Sequence, residues 1–565
     1  MSDVVNTGVP MRTGGQIVAD ALVVQGVPTA FFVPGESFLG VLDAFFDRPT
    51  IRPIICRHEG SAVMMAEATG RLSGRPGVAF VTKGPGASNA VAGVYLAYLA
   101  ETPLILFVGL PAQDILNRKA FQSCNVKDLF KSIAKKVDIA HEIEQLPDIL
   151  SRAFALSLQG RRGPVVVGLP ENILSENLDV RDCARTEYSP DEPSREILLE
   201  IEQKLSTALQ PLVVVGGSGW SYKAQEDLQS FAHRLDLPVA AAFRAQDYID
   251  NRHPSYVGHL GIKMDTKLAT ALRTSDFLLL IGVPLDEINT GRWEYIKAPS
   301  PSQNIIQVHP SGLDPNECLK IQREVVCSTI GFAAQLKNIK APENLRWKSY
   351  RRDLRTAFET SQRPLKTPGH VQLSEIIRSL SERLPETAII ASGAGNYSQF
   401  VHRYFTYKGF GTSLAPVSGS MGYGLPAAIA AQLLYPERCV VAFAGDGCFQ
   451  MSAQELGTAI QYNLPIIIII ADNGMFGTIR MHQESEYPGR VCGTSLVNPD
   501  FALFARSYGA LGFNVNTTED FEGAFSTALR SRKPCLIRLA LDPEAITPQT
   551  TLREFHLKGL EKKKK

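Results

Sequence analysis

The stretch Cys439 to Arg480 constrains this chain most: CVVAFAGDGCFQMSAQELGTAIQYNLPIIIIIADNGMFGTIR. VVAFA is an apolar run of strand length that ends on Gly445-Asp446-Gly447. Ser452 to Tyr462 then carries the helix formers Gln454, Glu455, Leu456 and Ala459. Leu464-Pro465 breaks the helix, and the five isoleucines 466–470 form a β-branched run without polar alternation, as expected of a parallel strand buried on both faces. The run stops at Asp472-Asn473-Gly474. Two turns are therefore expected side by side at the carboxyl ends of neighbouring parallel strands, where open α/β sheets bind ligands.

The chemistry of the turns narrows the ligand. Asp446 offers a carboxylate oxygen, Asn473 an amide oxygen and the 473–476 turn a backbone carbonyl, while Gly447 lets the backbone approach a diphosphate at a helix start. Such a set suits Mg²⁺ that keeps a water and bridges two phosphate oxygens. GDG followed by 25 residues and Asn resembles the diphosphate-binding motif of thiamine-diphosphate enzymes. The resemblance implies metal ligation by Asp446, Asn473 and the Met475 carbonyl, and cofactor contacts from Gly445, Gly447, Cys448 and Phe476.

Other parts of the chain carry the same resemblance. Arg57-His58-Glu59-Gly60 stands between an apolar run, 51–55, and a helical pattern, 61–74. A lone Glu there could cap the helix or stabilise its positive end. Glu59 also matches the family's HEG motif, where the carboxyl shares a proton with a pyrimidine ring nitrogen and so drives the amino group to the imino form that deprotonates the thiazolium carbon. That role implies an apolar setting that raises the pKa. Val33-Pro34-Gly35-Glu36 resembles the first strand-to-helix turn, with Pro34 and Gly35 beside the cofactor, and 82–89 resembles the GPG loop, ending on Asn89. Lys119-Ala120-Phe121-Gln122 is similar to the AFQ loop of acetolactate synthases, whose Phe and Gln face the substrate. Gly393 to Tyr397 resembles a diphosphate loop, with Gly395, Asn396 and Tyr397 as contacts. Gly419-Ser420-Met421-Gly422-Tyr423-Gly424-Leu425-Pro426 resembles GxMGxGLP, whose large apolar residue, Met421 here, wedges between the cofactor rings. The resemblance spans roughly residues 12–550.

Composition excludes some classes of function. With 44% apolar and 20% charged residues and a formal net charge of +1, nothing calls for nucleic acid or an acidic membrane, and no apolar run reaches the length of a membrane span. MSDVVNTGVPMRTGG has neither the apolar core of a signal peptide nor an Arg-rich amphipathic pattern, so no leader is expected. Nine cysteines without a CxxC pair suggest reduced thiols and a cytoplasmic setting.

The fold class expected is α/β, with three domains of parallel sheets flanked by helices. They are a pyrimidine-binding domain over 1–186, a Rossmann-like domain over 195–345 and a diphosphate-binding domain over 368–550, followed by a tail, 551–565, whose Lys562–Lys565 run reads as solvated. The segments 187–195 and 341–369 read as linkers, and the first and third parts read as distant copies of one fold. The family resemblance also implies a homodimer or homotetramer. FAD, which the middle domain of acetolactate synthases binds, is possible but disfavoured, because Pro284 and Ile288 replace two arginines. Two substrate-pocket candidates depart from the family: His482 stands where such synthases carry Trp, and Glu36 where Gly or Ser is usual. The function implied is decarboxylation and carboligation of a 2-oxo acid. The alternatives are a 2-hydroxyacyl thioester lyase, a non-oxidative 2-oxo acid decarboxylase, or a catalytically silent cofactor-binding homologue.

Overall fold

The computed structural model describes residues 11–311 and 319–564. Most of the stretch on which the leader reading rests, and Lys565, lie outside them. Two compact units emerge, 1–189 and 190–565, the second holding two of the three main sheets. Each of these sheets has six strands, all parallel.

In the first unit the strands, in spatial order, begin at residues 52, 29, 77, 104, 164 and 136. In the last sheet they begin at 413, 389, 440, 467, 535 and 511. Numbered by appearance, both orders read 2-1-3-4-6-5, so the first and third parts repeat one topology. The middle sheet, with strands starting at 256, 239, 211, 277, 304 and 323, reads 3-2-1-4-5-6, the dinucleotide-fold order. Apolar runs make these strands for the reason their composition suggests. Ile467–Asp472 is buried along its whole length, in register with Val440–Gly445 on one side and Cys535–Ala540 on the other. A strand covered on both faces has no polar face to alternate with.

Two expectations of irregular chain are corrected. The segment 341–369, read as a linker, contains the helix Lys348–Ser361. Its arginines hide the pattern by bonding to the middle domain: Arg351 Nε donates to Asp236 Oδ1 at 2.9 Å, and Arg355 Nη1 donates to the carbonyls of Asn251, His253 and Tyr256 at 2.9–3.0 Å. Trp347, fully buried, anchors the start of this helix.

The stretch 551–565, read as a tail, contains the helix Leu552–Lys563, which opens with a capping box between Thr551 and Glu554. Leu552 and Phe555 pack with Met481 and Ile546, and His556 Nδ1 lies 2.6 Å from the buried Glu484 carboxylate. Gly559 lets the helix seat: a Cβ there would fall 2.4 Å from the carbonyl oxygen of Glu484 and 2.8 Å from that of Ser485. Backbone cannot yield to that clash as a flexible side chain can. Gly559→Val is therefore expected to lower stability by about 1–3 kcal/mol and to release the helix, checked by thermal unfolding and faster tryptic cleavage after Lys558. A true tail would show neither change.

Candidate active site

In the first unit, three neighbouring strands deliver the expected residues at their carboxyl ends. Thr29–Phe32 leads to Pro34, Gly35 and Glu36; Arg52–Ile55 leads to Glu59; Gly77–Thr82 leads directly into the helix Lys83–Leu99. The GPG segment is thus the first turn of that helix rather than a loop, with Pro85 near its start, where a missing N–H costs nothing. Gly35 is required by packing, since a Cβ there would fall 2.3 Å from that of Thr82.

The cap of the helix Glu59–Ser73 bears on what Glu59 does. His58 is the N-cap residue, and its Nδ1 accepts from Gly60 N at 3.0 Å. The Glu59 carboxylate is left to another partner, accepting from Asn89 Nδ2 at 2.9 Å. Glu59 is half-buried, and a Cβ on Gly86 would lie 3.5 Å from its Oε1, so glycine keeps the space beside the carboxylate clear. Asn89 reaches it from the neighbouring helix.

The AFQ segment joins the same group through the backbone, Gly84 N donating to Gln122 O at 2.7 Å. Gln122 takes the left-handed conformation, φ 59°, and Phe121 is 76% exposed. Glu36 is not an isolated acid: Lys83 Nζ lies 2.8 Å from Glu36 Oε1 and 2.8 Å from Glu171 Oε1.

In the second unit, the strand Val440–Gly445 ends at the helix Asp446–Gln450. Gly447 packs against Phe476, whose ring a Cβ would meet at 2.5 Å. The turn carrying Asn473 and Met475 is held to 494–496 by backbone bonds, Phe476 N to Thr494 O at 2.8 Å and Leu496 N to Gly474 O at 2.9 Å. Tyr397 lies buried with its OH 3.5 Å from Cys448 Sγ, which accepts from Gly422 N at 3.2 Å. Asn396 Oδ1 accepts from Thr478 Oγ1 at 3.0 Å. Gly395 and Gly419 stand at φ 148° and 72°, and no atom lies within 4 Å of a Cβ placed on Gly419, so backbone conformation alone selects that glycine. Met421, 37% exposed, shares this group, and His482 is exposed on the helix Gly477–Glu486.

Asp446 is 2% exposed, and burial pushes its carboxyl up to about 6 against the opposing hydrogen bond from Asn498, with Asp472 adding to the rise. Asn498 Nδ2 donates to Asp446 Oδ2 at 2.7 Å and to Asp472 Oδ1 at 2.8 Å, and Arg538 Nε donates to Asp472 Oδ2 at 2.7 Å. Of the two buried carboxylates only Asp472 is paired with a guanidinium, so the set is short of one positive charge. Among the described residues no three His, Cys, Asp or Glu side chains gather as a metal cluster. One carboxylate, one amide and one carbonyl beside glycine turns instead fit a hard cation bound together with phosphate oxygens.

Asp472, Asn498, Arg538, Lys83 and Glu171 were not foreseen from sequence. Asn498-Pro-Asp ahead of a helix reads as an ordinary start signal, and Asp500 does cap the helix Phe501–Ser507.

Three family descriptions match: thiamine pyrophosphate enzyme N-terminal TPP binding domain over residues 12–129, central domain over 198–336, and C-terminal TPP binding domain over 393–539. The large subunit of acetolactate synthase isozyme 2 from Escherichia coli K12 is 30% identical over 535 residues, 94% of this chain and 95% of that one. The chain belongs to the thiamine pyrophosphate enzyme family. This acetolactate-synthase-like member is also 29% identical over 532 residues to the large subunit from Haemophilus influenzae, 91% and 92% of the two chains. Its fold matches that of a thiamine diphosphate-dependent 4-hydroxybenzoylformate decarboxylase from Rhodococcus jostii RHA1, with a TM-score of 0.80, 23% identity and coverage of 94% and 99%. It is thus a thiamine-pyrophosphate-dependent enzyme. Among the described residues no helix is long and apolar enough to cross a membrane.

Proposed function

We propose that this enzyme decarboxylates a 2-oxo acid and joins the acyl carbon left behind to a carbonyl acceptor, using thiamine diphosphate with Mg²⁺. The observation that carries the reading is Glu59, relieved of capping by His58 and held by Asn89 beside the clearing at Gly86. When bound, the cofactor supplies a carbon nucleophile and a sink for the electron pair released with carbon dioxide. Glu59 holds and moves the proton at the pyrimidine ring nitrogen. Pro34, Gly35, Asn89 and Met421 would hold the ring end of the cofactor. Gly395, Asn396, Tyr397, Gly419, Gly445, Gly447, Cys448 and Phe476 would hold the diphosphate, and Asp446, Asn473 and the Met475 carbonyl would hold the metal. Phe121 and Gln122 would face the substrate, and Glu36 and His482 are further substrate-pocket candidates.

Pro284 and Ile288 offer a flavin diphosphate no side-chain charge at the two positions where acetolactate synthases carry arginines. FAD is therefore disfavoured as a cofactor of this enzyme. A homodimer or homotetramer is the assembly this reading requires, in a cytoplasmic setting that suits the unpaired cysteines among the described residues.

Incubation with thiamine diphosphate, Mg²⁺ and a panel of 2-oxo acids, aldehydes and acyl thioesters tests the reading: consumption of 2-oxo acids is expected, and turnover confined to thioesters would replace it with a lyase. Asn498 bridges Asp446 and Asp472, so Asn498→Ala is expected to weaken Mg²⁺ binding about 10–100-fold, measured by calorimetry in the presence of cofactor. Unchanged affinity would remove Asn498 from the site's support.

A further inference from the structure

The Lys83 ammonium lies between two carboxylates. Its side chain is 8% exposed, whereas those of Glu36 and Glu171 are 65% and 34% exposed. Burial alone would push the pKa of this ammonium down, and the flanking Glu171 and Glu36 carboxylates more than reverse that. Lys83 also stands at φ 46°, a left-handed conformation that costs a lysine about 1 kcal/mol or more and persists only where the surroundings hold it. What holds it is the substrate-side structure. The next residue, Gly84, donates its N–H to Gln122 O at 2.7 Å, and Thr82 Oγ1 lies 2.6 Å from Ser37 Oγ in the turn that carries Glu36.

Charge follows by counting: two carboxylates and one ammonium leave one negative charge, and the most exposed member of the group is Glu36. Oε1 of Glu36 is engaged by Lys83, and the exposed carboxylate keeps capacity to accept further hydrogen bonds. We propose that Glu36, positioned by Lys83 and Glu171, selects substrates by charge, admitting those whose end remote from the reacting carbonyl is neutral or donates hydrogen bonds and disfavouring 2-oxo acids with a second carboxylate. The inference rests on the 2-oxo acid reading above and adds a substrate class to it. Lys83 acts here as a positioning residue, and Glu36 as the group that meets the substrate.

The test is calorimetric titration of the holoenzyme with two inert probes, methyl acetylphosphonate and a longer acylphosphonate that ends in a carboxylate. The readout is the ratio of their dissociation constants, which a merely structural role would not move. Glu36→Gln is expected to shift the ratio about 10-fold in favour of the carboxylate-ended probe, a screened like-charge effect. Lys83→Met, which leaves both acids uncompensated, should shift it the other way, and Lys83→Arg should restore it. Because Glu36 is exposed, Glu36→Gln decides the matter even if Lys83→Met does not fold. A ratio within twofold of wild type in Glu36→Gln, with both probes binding, overturns the charge selection and leaves the 2-oxo acid reading standing. A wild-type holoenzyme that binds neither probe overturns that reading and this inference together.

Discussion

Replacing Glu59 by glutamine is expected to cut turnover about 100- to 10,000-fold while cofactor affinity stays near that of the wild type. The amide is nearly isosteric, keeps an oxygen that accepts from Asn89 Nδ2, and retains a hydrogen bond toward a ring nitrogen. It cannot shuttle a proton. The competing account, in which Glu59 stabilises the start of its helix, is weakened by His58 serving as the cap. On that account Glu59→Gln would cost about 0.3–1 kcal/mol of stability and leave the rate alone. Thermal unfolding, cofactor titration and exchange of the thiazolium proton in this one variant separate the two, and exchange at the wild-type rate contradicts the catalytic role.

Asp446→Ala is expected to lose Mg²⁺ and thiamine diphosphate together, each by more than about 100-fold, since even the outer partners of a metal site are worth about 10–100-fold. The variant removes the carboxylate that burial has already made costly, pushed up to about 6, and leaves Asn473 and a backbone carbonyl against a doubly charged ion. The diphosphate then lacks its counter-charge. Folding should survive, because Asp472 keeps Asn498 and Arg538 as partners. Calorimetric titration of the cofactor at saturating Mg²⁺ measures the loss. Wild-type affinity in the variant would show that the cation, if bound, is held elsewhere.

Local chemistry explains what was readable in advance. Isoleucine and valine runs without polar alternation marked the parallel strands, and the GDG and Asn473 turns fell at adjacent strand ends because a parallel sheet places them there. Lys83–Glu36–Glu171 and Asp446–Asn498–Asp472–Arg538 were not readable, since partners far apart in sequence meet only once the strand order 2-1-3-4-6-5 is known. A cap also depends on backbone geometry: His58 and Glu59 are adjacent, and φ and ψ decide which one closes the helix. Helix 348–361 is hidden because its stability lies in contacts, arginines on carbonyls, whereas helix 552–563 carries a legible start signal in Thr551 and Glu554.

The most direct measurement is carbon dioxide release from pyruvate by the purified protein with and without thiamine diphosphate and Mg²⁺, alongside Glu59→Gln. Pyruvate carries no second carboxylate for Glu36 to repel. Release that requires both additions and falls by about 100-fold or more in Glu59→Gln is the predicted result. Release that is equal without the cofactor, or undiminished in Glu59→Gln, would contradict it.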